Sequence, residues 1–166
     1  GAKALDVGAS SGGFTDCLLK RGAAHVIAVD SGSGQMAESL RNDSRVTVIE
    51  NFNARYMSPS DLKYTPELVV MDVSFISAKY IIPAVSSVIM NGGIFVCLIK
   101  PQFEVGRSGL NKKGIVKSDT LRKSVVDDVV SFAEPCGFDL KGLIQSLIVG
   151  GDGNVEYLAY FVKRNQ

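Results

Sequence analysis

The sequence has a single histidine, three cysteines and no apolar stretch long enough to span a membrane. Each scarcity removes a class of function. His25 sits just ahead of an apolar run and reads as a strand-edge residue, with no second histidine to join it in a metal or catalytic group. Cys17, Cys97 and Cys136 are odd in number, far apart and without metal-ligand spacing. The expectation is therefore no metal and three reduced thiols, with Cys17 and Cys97 lying in apolar patterns. The longest apolar runs, Leu68–Met71 and Ile94–Ile99, have strand length, whereas a membrane helix needs about 20 residues. The chain opens directly into a strand-like run with no leader-like segment, which predicts a cytoplasmic protein without a membrane partner. Internal repeats and low-complexity tracts are absent, and the net charge is only +1.

What remains is an ordinary globular composition: 166 residues, 46% hydrophobic and 21% charged, suited to one domain over residues 1–166. Strand and helix signals alternate. Ala4–Val7 reads as a strand closed by a glycine-rich turn, Gly8–Gly13, and a helix runs through Leu18 and Leu19 to Gly22. Val26–Val29 and Val46–Glu50 follow as strands, with a short helix at Gln35–Leu40 between them. Leu68–Asp72 is apolar up to its closing acid, as in a strand covered on both faces. Ser77–Met90 reads as a helix interrupted or restarted at Pro83, and Ile94–Ile99 is the next strand. Ser118 is a good N-cap for a helix carrying Leu121, Val125, Val126, Val129 and Phe132 at helical spacing. Phe138–Val149 is partly strand, Gly150–Asn154 is a tight turn, and Val155–Val162 is the last strand.

A β-α alternation ending in two consecutive strands predicts an α/β fold: a mostly parallel seven-stranded sheet, helices on both faces, and a final antiparallel strand. That Rossmann-like architecture is the one used by class I methyltransferases that depend on S-adenosylmethionine.

The first strand ends in Asp6-Val7-Gly8-Ala9-Ser10-Ser11-Gly12-Gly13-Phe14, and the second ends in Asp30. Glycines at a strand-to-helix turn let backbone approach a ligand, and an acid after the second strand suits the two hydroxyls of an adenosine ribose. The spacing is G-x-x-x-G-G, not the G-x-G-x-x-G that seats a pyrophosphate on a helix N-terminus. S-adenosylmethionine, which has no phosphate, is therefore favoured over a nicotinamide dinucleotide. An unliganded glycine turn is the plain alternative.

Asp72 closes the fourth strand, Lys100 the fifth, and Glu156 begins the last. Parallel strands bring Asp72 and Lys100 to one sheet edge, and the reversed last strand brings the start of its run to the same edge. Strands spaced about 4.8 Å apart leave the three within side-chain reach. A hydroxyl nucleophile must lose its proton, and a lysine oriented by two carboxylates can assist that loss. Asp72-Val73-Ser74-Phe75 also lacks the Pro-Pro-aromatic run usual in enzymes that methylate base amines. The alternative is three unrelated strand-end charges facing water.

Between Lys100 and Lys117 stand five basic residues and one acid, on a chain otherwise slightly acidic. A long irregular segment of this kind is either a solvated loop or a polyanion site; its cations Arg107, Lys112, Lys113 and Lys117 are the candidate polyanion contacts.

The runs Leu5–Asp16, Asp72-Val73-Ser74-Phe75-Ile76-Ser77 and Lys100-Pro101-Gln102-Phe103-Glu104 resemble the FtsJ-like methyltransferase domain of the TlyA, or hemolysin A, family. The resemblance implies ribose 2′-O-methylation of ribosomal RNA, in the free RNA or in ribosomal subunits. It puts cofactor contacts at Gly8, Ala9, Ser10, Gly12, Gly13, Phe14, Asp30 and Asp72, with Asn53 near the adenine. Asp72, Lys100 and Glu156 match the last three members of the family's Lys-Asp-Lys-Glu tetrad. The first lysine lies about a helix ahead of the first strand in the family, and Lys3 is too close to that strand to serve. The family also carries a small N-terminal RNA-binding domain, so the chain reads as part of a longer protein. Two other functions compete: a nucleotide-dependent oxidoreductase on the same fold, and a non-enzymatic cytolysin. The cytolysin would need a membrane-active segment, whereas the helix after Ser118 has a mixed polar face (Arg122, Lys123, Asp127, Asp128).

Overall fold

A computed structural model describes residues 1–166. Seven strands form one sheet: β1 (Lys3–Val7), β2 (His25–Val29), β3 (Val46–Ile49), β4 (Leu68–Met71), β5 (Ile94–Ile99), β6 (Phe138–Gln145) and β7 (Tyr157–Lys163). Their order is β3-β2-β1-β4-β5-β7-β6. β1 to β5 pair in parallel, and β7 runs antiparallel to both β5 and β6. The mixed sheet and its antiparallel final strand are those expected from the sequence. The chain winds outward from β1 in one direction to β2 and β3, then in the other to β4 and β5. Such a reversal of strand order opens a crevice at the carboxyl ends of the two strands flanking it.

The helices are α1 (Gly13–Lys20), α2 (Glu38–Arg41), α3 (Ile82–Val88) and α4 (Asp119–Ala133). On one face α3 and α4 cover a core that includes Leu5, Ile27, Val69, Phe95, Cys97 and Phe161, while on the other Leu19, Met36 and Leu40 pack on Ala4, Val26 and Ala28. Phe95, Phe138 and Phe161 are completely buried, with ring centroids 5.0–5.9 Å apart, and knit β5, β6 and β7 together. Burial of such side chains stabilises by about 1.5–3 kcal/mol each. Val125, Val126, Val129 and Ala133 form the buried stripe of α4, whose first turn is capped by Ser118 Oγ accepting from Leu121 N.

Three local expectations are corrected. The helix expected over Ser77–Met90 is a 3-10 turn, Ala78–Tyr80, followed by the shorter α3. Pro83 falls in the first turn of α3, where its missing N–H leaves no intrahelical bond unmade. The last strand begins at Tyr157, so Val155 and Glu156 precede it, and the 150–154 turn sits inside a longer connection over 146–156. Cys17 is exposed; Cys97 is buried and Cys136 half-buried, and all three are free thiols. His25 opens β2, bonds Thr47 Oγ1 and meets the Tyr64 ring edge-on. No helix is long and apolar enough to cross a membrane.

Candidate functional site: an acid-walled cavity and a lysine edge

The crevice between β1 and β4 is a cavity of about 600 Å³, a size that suits a cofactor-scale ligand. Its wall is drawn from the ends of four strands: Val7, Gly8 and Ser10 after β1; Val29, Asp30, Ser31 and Gln35 after β2; residues 51–54 after β3; and residues 72–76 after β4, closed by Ile81. Gly8 makes the crevice possible. Its φ is +81°, and a Cβ there would stand 2.1 Å from the Asp72 carbonyl oxygen. Its N–H and that of Ala9 both donate to the Val29 carbonyl, which fixes the turn against β2. Gly12 has a different duty: at φ +103°, a Cβ would strike Leu40 and Met36, so it is needed for packing of α2.

Of the residues proposed from sequence as cofactor contacts, Gly8, Ser10, Asp30, Asn53 and Asp72 line the cavity. Ala9, Gly12, Gly13 and Phe14 do not. The turn presents only its first residues to the crevice before α1 carries the chain away. Sequence reasoning missed Ser31, Gln35, Asn51, Phe52, Ser74 and Phe75, which do line it. Three of the lining residues, Ser10 (φ 52°), Asn51 (φ 53°) and Phe75 (φ 63°), are the non-glycine residues with left-handed backbone. Each such conformation costs about 1–3 kcal/mol and persists only where the surroundings fix it; all three fall on this wall.

The electrostatics of the wall have one sign. Asp30 and Asp72 are the charged lining residues, with no lysine or arginine among the rest. Asp30 accepts Ser10 N–H at 2.6 Å and Gly32 N–H at 2.8 Å, one on each oxygen, so both loops are set by the carboxylate. Behind the wall lies Asp6, fully buried on β1. Burial pushes its carboxyl up to about 6; the Thr15 hydroxyl, donating to Oδ2 at 2.8 Å, pulls the other way, and the charges of Asp72 and Asp30 add to the rise. Its Oδ1 has no partner. Asp6 stood in the sequence motif, but nothing in the motif said that it would be buried without a cation.

At the rim, Lys100 Nζ lies 2.5 Å from Asp72 Oδ1 and 3.0 Å from Ser74 Oγ. The structure thus brings two of the three expected catalytic residues into contact. Glu156 is at the same edge and buried, but its Oε2 accepts from Gln102 Nε2 at 2.9 Å and it forms no ion pair with Lys100. The post-β5 segment fastens this whole edge. Lys100 holds Asp72 and Ser74, Gln102 holds Glu156, and Phe103 packs on Phe75 with centroids 5.0 Å apart. Glu104 completes the set by accepting from Ser77 Oγ at 2.6 Å and Ala78 N at 2.8 Å. Lys3, by contrast, opens β1 at the opposite edge of the sheet, with its Nζ 5.7 Å from the Tyr64 centroid.

The 101–117 segment is shaped by two 3-10 turns (Pro101–Phe103 and Arg107–Gly109) and a bridge between Leu110 and Val116. Asn154, 1% exposed, ties it to the 146–156 connection: its Oδ1 accepts from Val116 N and its Nδ2 donates to the Gly114 carbonyl, both at 3.0 Å. Arg107, Lys112, Lys113 and Lys117 are all exposed, and none forms an ion pair. Asp152, on the same connection, is held below the usual carboxylate range, first by the Asn154 N–H and in smaller part by Lys100.

This strand order, with its crevice beside β1 and a lysine–aspartate pair at the rim, is the plan of an α/β methyltransferase. The FtsJ-like methyltransferase model matches residues 1–163, and the chain belongs to that family. It is 45% identical over 160 residues to the 16S/23S rRNA (cytidine-2′-O)-methyltransferase TlyA of Mycobacterium tuberculosis, covering 96% of this chain and 60% of that one. Hemolysin A of Brachyspira hyodysenteriae is 45% identical over 159 residues, with 95% and 66% covered. The chain thus spans less than two thirds of the length of these relatives. A solved Streptococcus thermophilus protein assigned as a hemolysin superposes with a TM-score of 0.95 at 43% identity, covering 99% of this chain and 60% of that one. At 14% identity, the N-methyltransferase NodS of Bradyrhizobium japonicum in complex with S-adenosyl-L-homocysteine shares the fold, with a TM-score of 0.70 over 99% of this chain and 79% of its own.

Proposed function

We propose that this chain carries the methyl-transfer site of a cytoplasmic ribosomal RNA ribose 2′-O-methyltransferase that uses S-adenosylmethionine. The observation that carries the reading is the sign of the cavity. A crevice walled by Asp30 and Asp72 and backed by Asp6, with no basic residue in its lining and Lys100 paired to Asp72 at its rim, suits a sulfonium cofactor with net positive charge. The G-x-x-x-G-G turn over residues 8–13 lacks the spacing that seats the pyrophosphate of a nicotinamide dinucleotide, which disfavours the oxidoreductase reading.

The chain's own groups fit the cofactor. Asp30 retains a free lone pair on each oxygen for the ribose hydroxyls, Asn53 offers an amide to the adenine, and Gly8 leaves room for the methionine end beside Asp72. When bound, S-adenosylmethionine supplies the electrophilic methyl group. Lys100 Nζ, placed by Asp72 and Ser74, first gives up its own proton to solvent and as the neutral amine takes the proton of the attacking 2′-hydroxyl, and Asp72 Oδ1 stabilises the ammonium that forms. Glu156, held by Gln102, keeps a second carboxylate at the edge and orients the lysine as the substrate enters. Arg107, Lys112, Lys113 and Lys117 are the phosphate contacts.

The name of the TlyA relative, an rRNA (cytidine-2′-O)-methyltransferase, supports the substrate class. The direct test is methyl transfer from labelled S-adenosylmethionine to ribosomal subunits by the full-length protein and its Lys100→Ala variant. Label released as 2′-O-methylnucleoside by the wild type alone supports the reading, whereas label on a base would overturn it.

A further inference from the structure

Two short segments repeat one plan on neighbouring loops. Ala54-Arg55-Tyr56 and Ala78-Lys79-Tyr80 are both 3-10 turns, each capped by the preceding polar residue: Asn53 Oδ1 accepts from Arg55 N at 3.1 Å and Ser77 Oγ from Lys79 N at 3.2 Å. In each the alanine is buried, which leaves a cation and a tyrosine to face outward. The two turns meet. The Arg55 guanidinium lies 4.6 Å from the Tyr80 ring centroid and 5.8 Å from that of Tyr56. Both rings remain exposed, Tyr80 at 53% and Tyr56 at 72%, and neither Arg55 nor Lys79 forms an ion pair. Ala54, which opens the first turn, and Ile81, which follows the second, belong to the cavity wall, so the patch adjoins the crevice.

A guanidinium against aromatic faces is an attractive cation–π arrangement, and Arg55 makes it with both rings. Rings left in water around an unneutralised cation have the composition that binds unpaired nucleotides: bases stack on the rings, and the cation answers a phosphate or stacks in turn. We propose that Arg55, Tyr56 and Tyr80 form a stacking subsite for unpaired nucleotides of the RNA, separate from the phosphate contacts of the 107–117 loop. This rests on the RNA-substrate reading above.

The two kinds of contact respond differently to salt, because stacking releases no counterions. The test measures binding of an unstructured cytidine-rich RNA oligonucleotide to the full-length protein across a salt series, with S-adenosylmethionine titration as the control for folding. Tyr56→Ala and Tyr80→Ala each raise Kd by roughly 5- to 100-fold with the salt slope unchanged. Tyr80→Phe, which keeps the ring, binds like the wild type. The Lys112→Ala/Lys113→Ala pair instead flattens the salt slope by about 2. Unchanged Kd in both tyrosine variants, in protein that still binds S-adenosylmethionine, overturns the subsite and leaves the RNA reading intact. Failure of the wild type to bind RNA at all would overturn both.

Discussion

The crevice beside β1 and the segments that flank it are built on opposite principles. The crevice is walled by two carboxylates, Asp30 holding backbone N–H groups and Asp72 paired to Lys100, and it contains left-handed, strained residues. The 107–117 segment presents cations that no acid neutralises, on a loop fastened by the buried Asn154. A net charge of +1 hides this division. Under the proposed function, charge within the domain is placed according to ligand. It is negative and enclosed where a small cation must be held, positive and exposed where a polyanion must be met. Lys100 stands at the boundary, paired to a cavity acid at the end of β5 from which the basic segment departs.

The largest effect expected from breaking that boundary is on turnover. Lys100→Ala should lower methyl transfer by about 10²–10⁴-fold while S-adenosylmethionine affinity changes little, as read from single-turnover rates and calorimetry on the same preparation. Equal losses in both would mean that Lys100 serves the cavity and not the chemistry. Next in size is Gly8→Ala. A Cβ 2.1 Å from the Asp72 carbonyl, at φ +81°, should destabilise the fold by about 3 kcal/mol or more, visible as a fall in Tm. An unaltered Tm would show that the crevice wall yields.

Asp6 sharpens the comparison from inside the wall. Its carboxyl is raised from the ordinary 3.8 to about 6, so the folded state holds the proton more tightly than the unfolded state. Stability should therefore fall as pH rises through that interval, by about 3 kcal/mol in all, with the cost fully present above pH 6. Asp6→Asn should lose this slope in urea unfolding followed between pH 4 and 7; a wild-type slope retained in the variant would assign it to another group. The smallest effect expected is at the basic loop, where Lys112→Ala should reduce RNA affinity several-fold at low salt and scarcely at all at high salt.

Much of the frame could be read in the sequence, because strands buried on both faces leave unmistakable apolar runs. Leu68–Met71 and Ile94–Ile99 are strands with the limits their hydrophobic runs suggest, and the final hairpin required an antiparallel strand. Asp72 and Lys100 were legible for the same reason, as charges ending apolar strands at one edge. The cavity wall was harder, since half of it comes from irregular segments after β3 and β4. Phe75 stood in the motif after the fourth strand, but nothing there said that it would be 90% exposed at a left-handed φ. The Gln102–Glu156 bond joins residues 54 positions apart, and no local pattern announces it. Gly12 and Gly13 look like ligand glycines beside Gly8, but one is packed under α2 and the other lies off the cavity, a distinction that depends on how α1 leaves the turn.

The measurement that bears most directly on the division of charge is a calorimetric titration of the protein with S-adenosylmethionine and, separately, with NAD. The expected result is a saturable site for S-adenosylmethionine that weakens in Asp30→Ala, and no binding of NAD. Binding of NAD without S-adenosylmethionine would contradict it, because an acid-walled crevice would then be holding a diphosphate.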